Sequence, residues 1–246
     1  MKGKILSLLA VTIFSASSFA HDANSNDILD QYRFSLFAGI GFNGLKPVNT
    51  TSGDYSVSKT KGKTGFIFGI SADRNLNERY TAFTGLGIDW RGGSINSSTE
   101  SLPQDKYLKS ALVDYKYQYL TIPIGLKMKA TEIDNIKVYV QTGFDIGLLL
   151  SQKGNYYGVL ASGAKAPAIS NSKLKGFANS VPLNLGWSIG VGGEYELNKS
   201  NSFYALLLYR NGITDATTPQ TNSDGFKFSD GNIRSNTFSL RVGYYF

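Results

Sequence analysis

Charged side chains recur at alternate positions of segments that are otherwise apolar or rich in glycine, and they are the groups here with the capacity for acid–base chemistry or ion binding. Successive side chains of an extended strand point to opposite faces, so such residues share a face with small and polar neighbours. Unpaired charge is costly at low dielectric, so we favour a network of ion pairs that fills an interior over a lining for a small anion. The set is Arg33, Asp89, Arg91, Lys127, Lys129, Lys137, Asp145, Glu194, Arg210 and Arg241.

The residue types that most often act as catalytic bases and nucleophiles in enzymes are scarce in this chain. Histidine, the usual base near neutral pH, occurs once, as His21, and cysteine does not occur. A single histidine near the start of the mature chain leaves none for a serine–histidine dyad. No aspartate-rich metal spacing or phosphate-binding loop is present. We therefore predict no catalysis, no cofactor and no metal, although a serine–lysine or carboxylate mechanism stays open.

The N-terminus has the pattern of an export signal. Lys2 and Lys4 precede an apolar run over Ile5–Phe14, and small residues end at Ala20. This pattern predicts a signal peptide over residues 1–20, followed by a short periplasmic tail over 21–31. No later segment approaches the roughly 20 apolar residues that a membrane-spanning helix needs.

Eight later segments alternate apolar and polar residues, which predicts strands with one greasy face. In the last segment the apolar stripe ends on an aromatic residue, and we interpret this stripe as the signal that the barrel-assembly machinery reads; its members are Phe238, Leu240, Val242, Tyr244 and Phe246. Pro123 predicts a bulge or local break in the fourth strand, because proline cannot donate a ladder hydrogen bond. The predicted strands cover 32–42, 64–72, 79–92, 117–129, 136–150, 183–197, 203–211 and 235–246.

The connections between these segments alternate in length. Those at 43–63, 93–116, 151–182 and 212–234 are long and polar, whereas the other three are short. Short turns at one end and long loops at the other are typical of outer-membrane barrels. We predict that residues 32–246 form an all-β, eight-stranded antiparallel up-and-down transmembrane β-barrel with four long extracellular loops. A soluble sheet that buries the stripes is the alternative.

Four stretches resemble a known family. The segment Tyr119-Leu-Thr-Ile-Pro-Ile-Gly-Leu-Lys127 resembles the signature strand of PorT-like outer-membrane β-barrels, and the small OmpA-type barrels are more distantly similar. Further matches are Val138-Tyr-Val140 with Gly143, the run from Gly186 to Tyr195, and Gly243-Tyr-Tyr-Phe246. The resemblance implies an eight-stranded outer-membrane barrel, but it fixes no single activity because members of this family differ in role.

Charge and aromatic content point to partners at the cell surface. The formal net charge is +7 for the whole chain, yet no basic stripe with stacking aromatics indicates nucleic acid. The third long loop lacks Asp and Glu and offers a candidate surface for binding lipopolysaccharide or an acidic host polymer, through Lys153, Tyr156, Tyr157, Lys165, Lys173 and Lys175. Solvated loop charge without a partner is equally compatible with this sequence.

The outward aromatic residues predict contact with lipid. Tyr80, Trp90, Tyr195, Tyr244 and Phe246 lie near the ends of predicted strands, where amphipathic rings favour the membrane interface. We predict a monomeric surface protein with a structural or adhesion-type binding role through an unidentified extracellular ligand. A small channel or an accessory component of secretion is the alternative.

Overall fold

The computed structural model describes residues 32–52, 55–99, 108–160, 162–165, 168–172, 181–198, 201–217, 220–221, 227–228 and 232–246. The predicted signal peptide and tail, together with Lys173 and Lys175, lie outside the described residues. Within these segments no helix is long and apolar enough to span a membrane.

Eight long strands account for most of the described chain. They are β1 (Tyr32–Pro47), β2 (Tyr55–Asn75), β3 (Tyr80–Ser98), β4 (Leu108–Ile133), β5 (Ile136–Leu160), β6 (Leu183–Glu196), β7 (Ser202–Gly212) and β8 (Ile233–Tyr245). Short strands at Thr51–Ser52 and Ile169–Ser172 add to β2 and β5, and Gln220–Thr221 pairs with Lys227–Phe228.

The sheet closes on itself between the first and last strands. Each long strand pairs antiparallel with its sequence neighbours, and β1 pairs with both β2 and β8. Ala38 is opposite Phe68 on one side and Val242 on the other, which fixes the closing register. The last residue also takes part, because the Phe246 N–H donates to the Phe34 carbonyl oxygen at 3.0 Å. The prediction of an eight-stranded up-and-down barrel is confirmed.

The apolar stripes face outward. All five positions of the terminal stripe lie on the outer face, and Phe238, Val242 and Phe246 are exposed by 48%, 57% and 58%. Their neighbours Ser239 and Tyr245 are turned inward and buried. The outer surface is apolar and the interior is polar and aromatic, which is the reverse of the arrangement in a soluble protein. Such a surface is suited to contact with lipid.

Several strands run further than the sequence pattern predicts. β4 starts as early as Leu108 and β5 continues to Leu160, so the predicted loop at 93–116 ends as strand and the one at 151–182 begins as strand. In this extension the apolar residues Tyr115 and Val113 face inward and the charged Lys116 is exposed. The polarity of the two faces is therefore the reverse of that in the lipid-facing part of the strand. Beyond the membrane an outward side chain meets water, which removes the greasy stripe that marks a lipid-facing strand.

Pro123 interrupts one ladder without shifting its register. On the β3 side, pairing stops between Thr84↔Ile124 and Gly87↔Thr121 and resumes in the same register. On the β5 side, Pro123 stays opposite Asp145. The predicted break is therefore present as a gap in hydrogen bonding, and the predicted bulge is not.

Candidate functional site

A lysine surrounded by aromatic rings lies inside the barrel, near the end with short turns. Lys127 Nζ is 2.5 Å from Asp73 Oδ2 and donates to Tyr245 Oη at 2.6 Å. Tyr245 Oη donates to the same carboxylate at 2.7 Å. The rings of Phe83, Tyr139, Tyr204 and Tyr245 have their centroids 5.3–5.8 Å from Nζ. This lysine cage combines an ion pair with cation–π contacts in an interior shielded from water.

Glycines give this cage its room. A Cβ placed on Gly192 would lie 2.3 Å from Cζ of Tyr139, and one on Gly243 would lie 2.4 Å from Cε1 of Tyr204. Real Cβ atoms do not approach other atoms so closely, so any larger residue would displace a ring. The sequence motifs that contain these glycines thus place two tyrosines around Lys127.

Further ion pairs lie at the same end of the barrel. Arg33 Nη2 donates to Glu194 Oε1 at 2.6 Å and to Ser202 Oγ at 2.7 Å. Arg241 stacks its guanidinium 5.5 Å from the Phe37 ring centroid. Nearer the rim, Lys129 pairs with Glu132 at 3.0 Å, and Lys137 pairs with Glu196. Lys129 and Lys137 therefore lie at the mouth rather than deep in the lumen.

A second buried charge network crosses the middle of the barrel. Arg91 Nε lies 2.5 Å from Asp89 Oδ2, and Arg210 Nε lies 3.9 Å from Asp145 Oδ2. Asn184 joins the two pairs, because its Oδ1 accepts from Arg210 Nη2 at 2.7 Å and from Arg91 Nη1 at 3.3 Å. Two arginines and two aspartates balance in formal charge, which suits burial in a low-dielectric interior. This arrangement favours a plug over an anion-binding lining.

An apolar cluster fills the barrel beyond this network, at the end with the long connections. The buried Tyr115, Tyr117 and Tyr119 follow one another along the inner face of β4, with ring centroids 5.4 and 5.8 Å apart. Tyr119 also carries the Arg91 guanidinium over its ring at 5.0 Å. The remaining buried members are Leu45, Val57, Ile95, Ala111, Val113, Tyr156 and Ile233. Described side chains thus occupy the interior from the lysine cage to this cluster.

The candidate surface loop separates into exposed and buried residues. Lys153, Tyr157 and Lys165 are exposed at the end of β5 that leads into a long connection and just after it. Tyr156 is only 1% exposed and belongs to the inner cluster, so it is unavailable to a ligand outside. The alternation of a continuing strand is the reason, because neighbouring residues point to opposite faces.

The residues matched by a family model extend across most of this barrel. Residues 19–217 match the family described as outer membrane protein beta-barrel domain. The chain belongs to this family. It is therefore an outer-membrane protein, and the short turns of the barrel mark the periplasmic end. The finer resemblance to PorT-like barrels is not resolved by this match.

Solved barrels of the outer membrane are similar to this family member in fold. Ail, the attachment invasion locus protein of Yersinia pestis, is 13% identical with a TM-score of 0.36, covering 88% of this chain and 99% of that one. Neisserial surface protein A is 14% identical with a TM-score of 0.39, covering 85% and 95%. The outer membrane protease OmpT of Escherichia coli is 8% identical with a TM-score of 0.46, covering 87% and 96%. No curated protein matches the chain at a significant level of sequence similarity.

Sequence reasoning overlooked the acidic partners of the periplasmic lysines. The predicted second strand ends at residue 72, whereas β2 continues to Asn75 and places the Asp73 carboxylate inside the barrel. Glu132 and Glu196 likewise pair with rim lysines. These three carboxylates pair with Lys127, Lys129 and Lys137 and neutralise their charge at this end of the barrel. Continued alternation through Ala72 and Asp73 was the available signal.

Proposed function

We propose that this outer-membrane protein is a non-catalytic surface receptor whose barrel is a scaffold and whose extracellular end binds an anionic ligand. The observation that carries the proposal is the contrast between the interior of the barrel and its extracellular end. Described side chains fill the interior with ion pairs and aromatic rings, whereas cationic residues are exposed on the extracellular extension of β5. A filled interior favours a partner outside the barrel over a solute inside it.

The chemistry of the extracellular segment supports an anionic ligand. Residues 151–182 contain four lysines and neither Asp nor Glu. Lys153 and Lys165 are exposed, and Tyr157, 44% exposed, adds an amphipathic ring to the same segment. Lysines without acidic neighbours raise the local concentration of a polyanion, and salt screens this attraction. Lipopolysaccharide and acidic host polymers are the two ligand classes that this chemistry fits.

The absence of catalysis is part of the proposal. The sole histidine, His21, lies outside the described residues. Within the described residues, no group of three or more His, Cys, Asp or Glu side chains is placed to hold a metal ion. We further assign the chain to the PorT-like barrels, on the strength of the Tyr119–Lys127 motif. In this barrel the motif supplies both Tyr119 beneath Arg91 and the lysine of the cage.

Binding to a soluble polyanion tests the proposal. Protein refolded into neutral lipid vesicles is titrated with sulfated dextran and, as the uncharged control, with dextran. The variant K165Q/K173Q/K175Q is expected to bind sulfated dextran roughly tenfold more weakly, because a large part of the screened attraction is lost. The matched control R79Q/K129Q/K137Q removes three charges from the periplasmic rim and is expected to bind like wild type.

Two outcomes contradict the proposal. One is equal affinity of the loop variant and the wild-type protein for sulfated dextran. The other is loss of affinity to the same extent in the periplasmic control, which would make the attraction a property of net charge. Retention of the mobility shift on boiling shows that each variant is folded.

A further inference from the structure

We propose that the outer wall formed by β2, β3 and β4 binds a phosphate-bearing lipid of the outer leaflet at the extracellular border of the membrane. This site lies on the side of the barrel and shares Lys153 with the receptor surface proposed for the extracellular end, but its test uses Lys63 and Lys116, which that receptor role does not involve. The inference rests on a cavity where the ladder between two strands is interrupted, a row of lysines and an aromatic surface beside them.

The ladder between β2 and β3 is interrupted by a shift of register at the proposed site. Pairing stops at Gly62↔Gly93 and resumes at Ile67↔Asp89, which leaves the segment 63–66 out of register with β3. A cavity of about 500 Å³ lies here, and its lining includes Lys63, Phe66, Phe68, Trp90 and Lys116. The cavity lies beside the outward-facing Phe66 and Phe68, so a lipid is the molecule with direct access to it.

Lysines from three strands lie at the extracellular edge of this cavity. Gly92 is opposite Lys116, and Lys116 is opposite Lys153, so the two lysines are direct neighbours on the outer face. Both are exposed. Like charges directly opposite one another destabilise a sheet, and an anion between them removes that cost. Lys63 approaches the row from β2, with its Nζ 3.3 Å from the Tyr115 carbonyl oxygen.

The acidic groups near this row are too few to neutralise it. Asp114 Oδ1 lies 4.0 Å from Lys63 Nζ and also accepts a hydrogen bond from Ser94. Among the described residues, the salt bridges include no other carboxylate that pairs with Lys63, and none that pairs with Lys116 or Lys153. A lipid phosphate is a compact anion with several acceptor oxygens, which suits two or three ammonium groups.

The depth of the row matches that of lipid headgroups. Along the outer face of β4, the apolar residues Ile124, Ile122 and Leu120 give way to Gln118 and then to Lys116. On β3 the apolar stripe ends at Trp90, whose ring centroid lies 5.4 Å from that of Phe68. The lysines therefore begin where the apolar outer surface ends. An acyl chain bound here would lie along Phe66, which is 65% exposed. A phosphate and an acyl chain in this order describe an anionic lipid rather than a free ion.

Trp90 provides a signal for binding. The chain has two tryptophans, so a W187F background leaves Trp90 as the sole indole reporter. Protein in neutral detergent micelles is titrated with diphosphorylated lipid A, with the same lipid after removal of its phosphates, and with inorganic phosphate. We expect saturable change in Trp90 emission with the phosphorylated lipid, and at least tenfold weaker binding in K63Q/K116Q. The control K129Q/K137Q should bind as the W187F parent does.

Three results would overturn the lipid site. These are equal affinity for the dephosphorylated lipid, unchanged affinity in K63Q/K116Q, and a response to inorganic phosphate at the same concentrations as to the lipid, which would indicate an ion site alone. Each variant is first checked for the mobility shift on boiling. Should the double variant fail to fold, K116Q alone, at an exposed position, takes its place, and the same comparisons apply.

Discussion

Lys127 and Asp73 lie 54 residues apart in the chain, yet Nζ and Oδ2 meet at 2.5 Å inside the barrel, with Tyr245 Oη bonded to both. The contact joins β2, β4 and β8. It therefore holds together strands from the early, middle and final parts of the sequence, and it forms only when the sheet has closed.

Loss of this lysine is expected to destabilise the barrel strongly. K127M leaves the Asp73 carboxylate buried without its cation, and breaking such a pair typically costs about 3–5 kcal/mol. Urea-induced unfolding in lipid vesicles, followed by tryptophan fluorescence, measures the change in free energy of unfolding. D73N/K127M should recover part of the loss, because no uncompensated charge remains.

The matched control is the exposed pair Lys129–Glu132 at the rim. K129Q should unfold at the same urea concentration as wild type, since exposed ion pairs contribute little. If K127M were as stable as K129Q, the lysine cage would have no structural role.

Adjacent glycines in β6 offer a sharp comparison. An added Cβ at Gly192 meets the Tyr139 ring at 2.3 Å, whereas one at Gly193 finds no heavy atom within 4 Å. G192A should therefore lower the free energy of unfolding by about 1–3 kcal/mol through overpacking, and G193A should leave it unchanged. The same urea experiment measures both. Equal effects of the two substitutions would show that Tyr139 is not held against Gly192.

The terminal aromatic is expected to act in assembly. Deletion of Phe246 removes an outward side chain that is 58% exposed and a backbone hydrogen bond to Phe34. The amount of protein in the outer-membrane fraction, and its mobility shift on boiling, should both fall, whereas F246W should assemble normally because it keeps an aromatic ring. Normal assembly of the deletion variant would remove this residue from the assembly signal.

Tyr156 and Tyr157 should separate stability from binding. Y156A removes a fully buried ring from the apolar cluster and should destabilise the barrel by about 3–5 kcal/mol. Y157A alters an exposed position and should leave unfolding unchanged while weakening the binding of sulfated dextran. Urea unfolding and dextran titration distinguish the two variants, and the reverse pattern would place the wrong tyrosine on the outside.

Alternation alone was enough to predict the lipid-facing part of the barrel. β3 illustrates this, because the alternation over the predicted range 79–92 correctly separates the inward from the outward residues of Tyr80–Ser98. This pattern requires an apolar outward face, so it no longer indicates a strand where the outward residues become polar. At Lys116 and Lys153 the outward residues meet water, and the strands continue unnoticed to Leu108 and Leu160.

Side-chain partners were harder to predict than strands. The alternation places Arg91 and Arg210 inward, but nothing in their spacing indicates that Asn184 bridges them. Such contacts depend on the stagger of strands around the closed ring, which pairs residues far apart in sequence. Asp73 shows the same limit, since an Asp in an Asp/Asn-rich stretch is typical of a turn as well as of a strand end.

The most direct test of a filled barrel with its binding surface outside is conductance across a planar lipid bilayer, with a large porin as the positive control. We expect that purified protein with a full mobility shift on boiling inserts and gives no single-channel steps, because ion pairs and tyrosines occupy the interior. Reproducible steps from such protein would contradict it and would favour the small channel.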